Sequence, residues 1–411
     1  MTPLVSPSCL AGLRVLDMSR VLAGPWAGQM LGDLGAEVIK IERPGTGDDT
    51  RGWGPPYLRD QDGAETSESA YFLCANRNKK SVTIDMTHTD GQKLLARLAQ
   101  SSDILIENFK VGGLKKYGLD FEQLHKLNPR LIYCSITGFG QTGPYAPRAG
   151  YDFLVQAMGG LMSVTGQKDE APQKVGVAIT DILTGLHATV AILAALAHRH
   201  ATGRGQHIDL SLLDTQIASL ANQSSSYLVT GVAPSRLGNS HPSIVPYQDL
   251  PTSDGAMIVA VGNDAQFARL CECLGQPGWA ADVRFATNRS RVENRALLEP
   301  LMKQETMRES TACWVALLEK AGVPCGPVNS IADVFDDPHV KARGARFEME
   351  HPLAGHVPLV ANPIRLSESP VDYRLPPPLL GQHTRDVLKD ILGFEETDLD
   401  RLQQTGVISQ G

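Results

Sequence analysis

Aromatic residues make up only 6% of this 411-residue chain, and basic residues are outnumbered, 38 Lys and Arg against 45 Asp and Glu for a formal net charge of -7. That balance argues against a protein built mainly to hold nucleic acid, whose domains carry a basic excess. Long hydrophobic runs are missing as well. None approaches the ~18 continuous apolar residues of a membrane span, so neither nucleic acid nor membrane is expected as a partner. Cysteine is sparse, with 7 residues scattered at Cys9, Cys74, Cys134, Cys271, Cys273, Cys313 and Cys325. Most sit in apolar runs such as Leu131-Ile132-Tyr133-Cys134, which reads as buried, reduced thiols, and a cytoplasmic location is expected. Cys271 and Cys273 form a lone C-x-C without a second pair or a His-x-x-x-His, so no metal site is expected. Met1 to Leu13 shows no basic stretch ahead of a long apolar segment and no Arg-rich amphipathic pattern, and is read as carrying no leader. A G-x-x-x-x-G-K-[ST] loop is also lacking, which argues against ATP-driven chemistry.

What is present is 42% hydrophobic and 20% charged residues, a globular composition over a length of about two to three domains. The first 140 residues repeat one rhythm. Strands are predicted at Leu13 to Asp17, Glu37 to Glu42, Ser81 to Asp85, Asp103 to Glu107 and Arg130 to Ile136, with helices at Trp26 to Leu34, Asp90 to Ala99 and Phe121 to Leu127 between them. Strands that alternate with helices imply βαβ units on a parallel sheet, whose ligands bind beyond the carboxyl ends of the strands. A helix from Asp181 to His200 is apolar nearly all round and is expected in the interior. Composition turns Gly/Pro/Ser-rich from Asn222 to Pro242, which marks the exit from the first domain.

Several motifs admit more than one reading. Gly138-Phe139-Gly140-Gln141-Thr142-Gly143 matches G-x-G-x-x-G after a strand, but Pro144 to Pro147 follow where a helix would have to begin. A glycine loop that lets some ligand approach the backbone fits better than a dinucleotide site. Basic residues recur around the predicted strands: Arg43, then Arg77, Lys79 and Lys80, then Lys110, Lys115 and Lys116, then Arg148. Together they suggest a phosphate-bearing molecule of modest size, although a solvated face has the same look. Asp181 opens the long helix, where the dipole stabilises an anion by roughly 0.3 to 1 kcal/mol at an exposed site. A carboxylate so placed can attack an activated carbonyl, and an ordinary helix cap has the same spacing. Taken by themselves, the residues lead to an α/β enzyme with a phosphate-rich ligand and stop short of the reaction.

Longer motifs carry a resemblance. Val21-Leu22-Ala23-Gly24-Pro25, Gly35 to Gly45, Asn76-Arg77-Asn78-Lys79-Lys80-Ser81, Glu107-Asn108-Phe109, Ile136 to Gly140, Asp181 with Thr184-Gly185, Thr202 to Gln206, Gly322-Val323-Pro324 and Leu379 to Thr384 resemble the class III CoA-transferases, the family of formyl-CoA and carnitine CoA-transferases. Asp48-Asp49-Thr50-Arg51, Trp53-Gly54-Pro55-Pro56 and Ser243 to Gln248 look closest to the branch that moves CoA from succinyl-CoA to glutarate or hydroxymethylglutarate.

The resemblance implies an interlocked homodimer. Each chain would have a Rossmann-like large domain at 1–221 completed by 372–411, a smaller α+β domain at 244–328, and linkers at 222–243 and 329–371, the latter wrapping the partner. Coenzyme A and its acyl thioesters would be substrates, with small carboxylic acids as co-substrates and no permanently bound cofactor. The family nucleophile falls on Asp181, with Asp152 in support. Its carboxylate would pass through a mixed anhydride and an aspartyl-CoA thioester, and no ATP would be needed. The CoA site falls on Val21, Leu22, Ala23 and Arg43, on Asn108, Phe109, Lys110 and Lys116, and on Arg148 and Tyr151. Arg51 or Arg77 would hold the far carboxylate of a dicarboxylic acceptor.

Related α-methylacyl-CoA racemases use a His where Tyr151 stands here, and a phenol, which ordinarily ionises only at a pH of about 10, is a poor base near neutrality. Racemase activity and a CoA-binding regulator without turnover are the rival readings. Two departures from formyl-CoA transferase stand out: its glycine-rich covering loop has no counterpart at His241 to Asp249, and Leu22 replaces an amide.

Overall fold

A computed structural model describes residues 8–410. Met1 to Pro7, read above as free of a leader, and Gly411 lie outside the described residues. By their contacts the described residues form two units, one running up to Gly160 and including Gly176–Ser224 and Lys341 onward, the other Leu161–Val175 with Ser225–Val340.

The first unit is built on a six-stranded sheet of β1 (Arg14–Asp17), β2 (Glu37–Glu42), β3 (Lys79–Thr83), β4 (Ile104–Glu107), β5 (Ile132–Thr137) and β6 (His207–Ser211). All five pairings are parallel and the order is β3-β2-β1-β4-β5-β6, the doubly wound arrangement of nucleotide-binding folds. Helices cover both faces: α1 (Ala23–Asp33), α2 (Thr89–Gln100), α3 (Phe121–Leu127), α4 (Asp152–Met158), α5 (Ile179–Thr202) and α6 (Leu212–Ser219). Successive strand residues serve opposite faces. Leu16 and Leu105 pack in a core with Leu95 and Leu98 of α2 and with Leu388 and Leu402 near the carboxyl end of the chain. Val15, Ile104 and Ile106 pack in a second core with Ala27 and Leu31 of α1 and Ala188 and Ile192 of α5.

Three details differ from the sequence reading. The strand expected at Ser81 to Asp85 runs from Lys79 to Thr83. Lys79 resembles a turn residue in sequence, but its ammonium is fully buried and donates to Asp17 at 2.9 Å, so the charge is neutralised inside the strand layer. Asn222–Thr230, placed in an irregular linker, is helical. The long helix buries one side only, leaving Leu186, Val190 and Leu193 exposed on the other, with Val190 65% accessible. By length and composition it could cross a membrane, with a mean hydropathy of 1.7, yet its buried side packs in the core beside α1. Cys134 and Cys271 are buried as read, whereas Cys9, Cys74 and Cys313 are exposed.

The second unit holds a three-stranded antiparallel sheet, β7 (Tyr247–Pro251), β8 (Ala256–Ala260) and β9 (Cys325–Pro327), in the order β9-β8-β7. Helices at Asp264–Cys273, Arg295–Thr306 and Thr311–Lys320 pack on it through Phe267, Leu270, Leu298 and Trp314.

One glycine pair sets the shape of the crevice above the first sheet. A Cβ on Gly138, just past β5, would stand 2.5 Å from the Cα of Gly150. The two backbones therefore touch, and the loop carrying Arg148 and Tyr151 is drawn onto the sheet edge. The first glycine of the G-x-G pattern makes this approach possible. Gly138→Ala should push that loop away at a cost of about 1–3 kcal/mol, read as a lowered Tm together with a raised KM for the acyl-CoA substrate. An unchanged KM would show that the close approach does not shape the site.

Candidate active site

Doubly wound sheets open a crevice beyond the carboxyl ends of their strands where the order reverses. Here that point lies between β1 and β4. A cavity of about 520 Å³ opens there, walled by the loops after β1, β2, β3, β4 and β5 and by the first turn of α5. Val21, Leu22 and Ala23 line it from the entry to α1, Arg43 from the end of β2, and Asn108, Phe109, Lys110 and Lys116 from the loop after β4. Arg148, Tyr151 and Asp181 complete the same wall. Arg43, Lys110, Lys116 and Arg148 are exposed and make no ion pair among the described residues. A rim of unpaired cations around a crevice is an anion-binding arrangement. The Arg148 guanidinium lies 4.5 Å from the centre of the Tyr145 ring. Asn108 plays a second part, since its side-chain oxygen accepts the Arg20 N–H at 2.9 Å and its amide donates to the Arg20 carbonyl at 2.7 Å.

Arg51 and Arg77 do not line the cavity, which corrects the expectation that either meets an acceptor carboxylate. Arg51 is 8% exposed and donates to Glu42 through Nε and a terminal nitrogen, each at 2.8 Å, and to Glu68 at 3.2 Å. Arg77 is 5% exposed and is paired with Asp33 through Nε and Nη2 at 2.9 and 2.5 Å. Strand direction explains Arg77. With β3 beginning at Lys79, residues 77–80 stand at the amino ends of the parallel strands, across the sheet from the crevice. Lys79 and Lys80 leave the ligand edge for the same reason and pair with Asp17 and Glu37.

Asp181 stands in the first turn of α5, behind Ala178 at the N-cap position, which has no side-chain cap of its own. Asp152, at the start of α4, supplies one from outside: its Oδ1 accepts the Thr180 N–H at 2.8 Å and the Asp181 N–H at 3.4 Å, while Gln156 holds its Oδ2 at 2.7 Å. The helix end is thus satisfied by a neighbouring carboxylate. Other acids on the wall are occupied: Arg51 pairs with Glu42, Lys40 with Asp48 and Arg20 with Asp49, and Asp85 accepts from Thr87. Among the described residues, no hydrogen bond or cation reaches the Asp181 carboxyl. Burial, and then the charge of Asp152, push its pKa up to about 7. Burial and a like charge thus oppose the stabilisation that a helix N-terminus gives an anion.

The loop between β1 and α1 holds a conformation that its residue types do not announce. Val21 has φ 72, a genuine outlier for a β-branched residue that costs on the order of 1–3 kcal/mol. Asp48 accepts the Val21 N–H at 3.2 Å, and the fully buried Lys40 donates to Asp48 at 2.8 Å and to the Ser19 carbonyl at 3.1 Å. The Lys40 ammonium, with backbone and hydroxyl donation from Thr50, holds the Asp48 carboxyl down at about 2 in spite of burial. Glu107 fixes the other side of the cavity by accepting the Phe109 N–H at 2.8 Å, and burial pushes its carboxyl up to about 7. A charged residue inside a β-branched strand, such as Lys40, is the one sequence signal that points to this buried pair.

The model for CoA-transferase family III matches residues 10–384. The chain belongs to that family. This CoA-transferase is 51% identical, over 94% of its length and 97% of the relative's, to the succinate–glutarate CoA-transferase of Agrobacterium fabrum. It is 45% identical to the succinyl-CoA:glutarate CoA-transferase of Mus musculus, over 98% of this chain and 90% of that one. A crystal structure of a CAIB/BAIF family protein from Brucella suis superimposes with a TM-score of 0.83 at 50% identity, covering 94% of this chain and all of that one (100%). CoA thioesters are therefore substrates of this enzyme, and the cation-rimmed crevice is the feature suited to their phosphates.

The raised acid has a stability consequence. An acid whose folded pKa is up at about 7, against 3.8 for an ordinary aspartate side chain, binds more protons folded than unfolded between those values. Stability is then lost as pH climbs through that window, by up to about 4 kcal/mol in the limit of one buried site. Asp181→Asn should raise Tm more at pH 8 than at pH 5. An equal change at both would contradict the burial of an unpaired carboxyl.

Proposed function

We propose that this CoA-transferase moves CoA from succinyl-CoA to glutarate or a closely related dicarboxylic acid, with Asp181 as the nucleophile. The observation that carries this reading is an unpaired carboxyl on the wall of a cation-rimmed cavity in a chain so similar to enzymes named for that exchange. The Asp181 carboxylate attacks the thioester carbonyl, the C–S bond breaks, and CoA thiolate leaves behind an aspartyl–succinyl anhydride. The thiolate then attacks the aspartyl carbonyl, releasing succinate and forming aspartyl-CoA. The acceptor carboxylate reverses these steps, displacing thiolate to form a second anhydride and receiving the thiolate at its own acyl carbon. Each step exchanges one acyl linkage for another, so transfer proceeds without an external energy source.

In this reading the orphan N–H groups at the start of α1 receive the developing oxyanion. Ala23 lines the cavity with Asp181, and a Cβ on Gly185, one turn beyond Asp181, would stand 2.7 Å from the Ala23 carbonyl oxygen. Unsatisfied N–H groups aimed where negative charge develops are the usual means of stabilising acyl transfer. Asp152 supports the nucleophile by capping its helix, and its charge keeps the carboxylate reactive.

The reading extends to the assembly. Leu186, Val190 and Leu193 recur on one exposed side of α5, and Phe153 and Met158 are exposed on α4. A second copy of the chain is the natural cover for these side chains in an interlocked homodimer. Val190→Arg should hinder assembly, read in sedimentation of the freshly expressed variant as a loss of the dimer species. A wild-type monomer would contradict this assembly.

Two kinetic measurements test the chemistry. Asp181→Ala should reduce exchange between succinyl-CoA and glutarate by at least about a thousandfold, and near-normal exchange would end the proposal. In the wild type, kcat/KM should rise with pH and level off above about 7, as the free-enzyme nucleophile ionises.

A further inference from the structure

The entry to α1 is held by more contacts than a loop of its length requires. Ser19 donates its N–H to Asp17 at 3.0 Å and its hydroxyl to the same oxygen, and its carbonyl accepts from Lys40 at 3.1 Å. Arg20 is gripped at both its N–H and its carbonyl by Asn108. Val21 donates to Asp48 from a left-handed backbone. Thr50 adds two bonds to the same Asp48 oxygen, from its N–H at 3.0 Å and its hydroxyl at 2.8 Å. Lys40 is 0% exposed and Asp48 1%. Two fully desolvated charges under a strained, β-branched residue are a costly arrangement for a mere turn, and such strain gathers where a site needs it.

We propose that the buried Lys40–Asp48 pair is a positioning device for acyl transfer: it holds Val21 left-handed and so aims the first N–H groups of α1 at the carbonyl oxygen of the acyl group on Asp181. The inference rests on the Asp181 mechanism above. Val21 sets the direction of the chain into Leu22 and Ala23, both on the cavity wall. An ordinary extended or right-handed backbone at residue 21 would send the helix start elsewhere. Lys40 and Asp48 act through the loop and need not touch substrate.

The test removes both charges together, so that neither is left buried alone. In Lys40→Met/Asp48→Asn, kcat should fall by about tenfold or more through misplacement of the donors, counted per active site by trapping of the aspartyl adduct, with a smaller change in succinyl-CoA KM. Adding Val21→Gly should recover several-fold of the loss, since glycine takes a positive φ without strain, whereas Val21→Ala should not. Should the double variant fail to fold, Thr50→Val loosens Asp48 without unpairing Lys40, and it should show the same kcat-weighted loss and the same selective rescue by glycine. Full kcat per trapped site, or equal rescue by alanine and glycine, would overturn the positioning role. If wild-type enzyme yields no adduct on Asp181, the underlying mechanism fails instead.

Discussion

A carboxyl group buried without a cation is the constraint around which the crevice is arranged. Burying a charge without a partner is so unfavourable that such groups ordinarily take up a proton or acquire a counter-ion. Asp181 has neither a cation nor a donor among the described residues, and its pKa is up at about 7. A paired carboxylate would be a poor nucleophile and a fully exposed one would be blunted by water. Asp181 is poised between these, one proton away from reactivity near neutrality. Among its neighbours, Glu42, Asp48 and Asp17 are neutralised by buried Arg or Lys, while Glu107, whose pKa is likewise up at about 7, accepts the Phe109 N–H.

The scaffold separates two kinds of positive charge. Arg51, Arg77, Lys40 and Lys79 are interior and neutralised, and they fasten the loops. Arg43, Lys110, Lys116 and Arg148 are exposed at the crevice and open to phosphate. Both kinds lie near one another in sequence, around the same strands. Which kind a residue becomes depends on which end of a parallel strand it occupies and on whether an acid faces it across the sheet.

That distinction marks the limit of what could be read in advance. Strand and helix alternation up to Ile136 followed from periodicity, and the parallel sheet followed from the alternation. The cavity residues at 21–23 and 108–109 were legible because family motifs span them, and Lys110, Arg148 and Tyr151 by their family positions. Arg77 was misplaced because it precedes β3: whether that strand begins at Lys79 or at Ser81, residue 77 stands at its amino end, on the sheet edge away from the crevice. Lys79 looked exposed because its partner Asp17 is 62 residues away in sequence. The raised pKa of Asp181 was hidden for a related reason: a helix N-terminus is visible in a sequence, whereas the depth of burial and the approach of Asp152 from another helix are not. The left-handed Val21 leaves no trace in residue type at all, because sequence statistics expect glycine or asparagine there.

The central claim is that Asp181 becomes covalently joined to CoA during turnover. Incubating the enzyme with succinyl-CoA, quenching with hydroxylamine and mapping peptides by mass spectrometry addresses it directly. The account requires a hydroxamate on Asp181 that forms only with the thioester present and diminishes when excess dicarboxylic acceptor discharges the adduct before the quench. A hydroxamate on another acid, or turnover with Asp181 unmodified throughout, would contradict it.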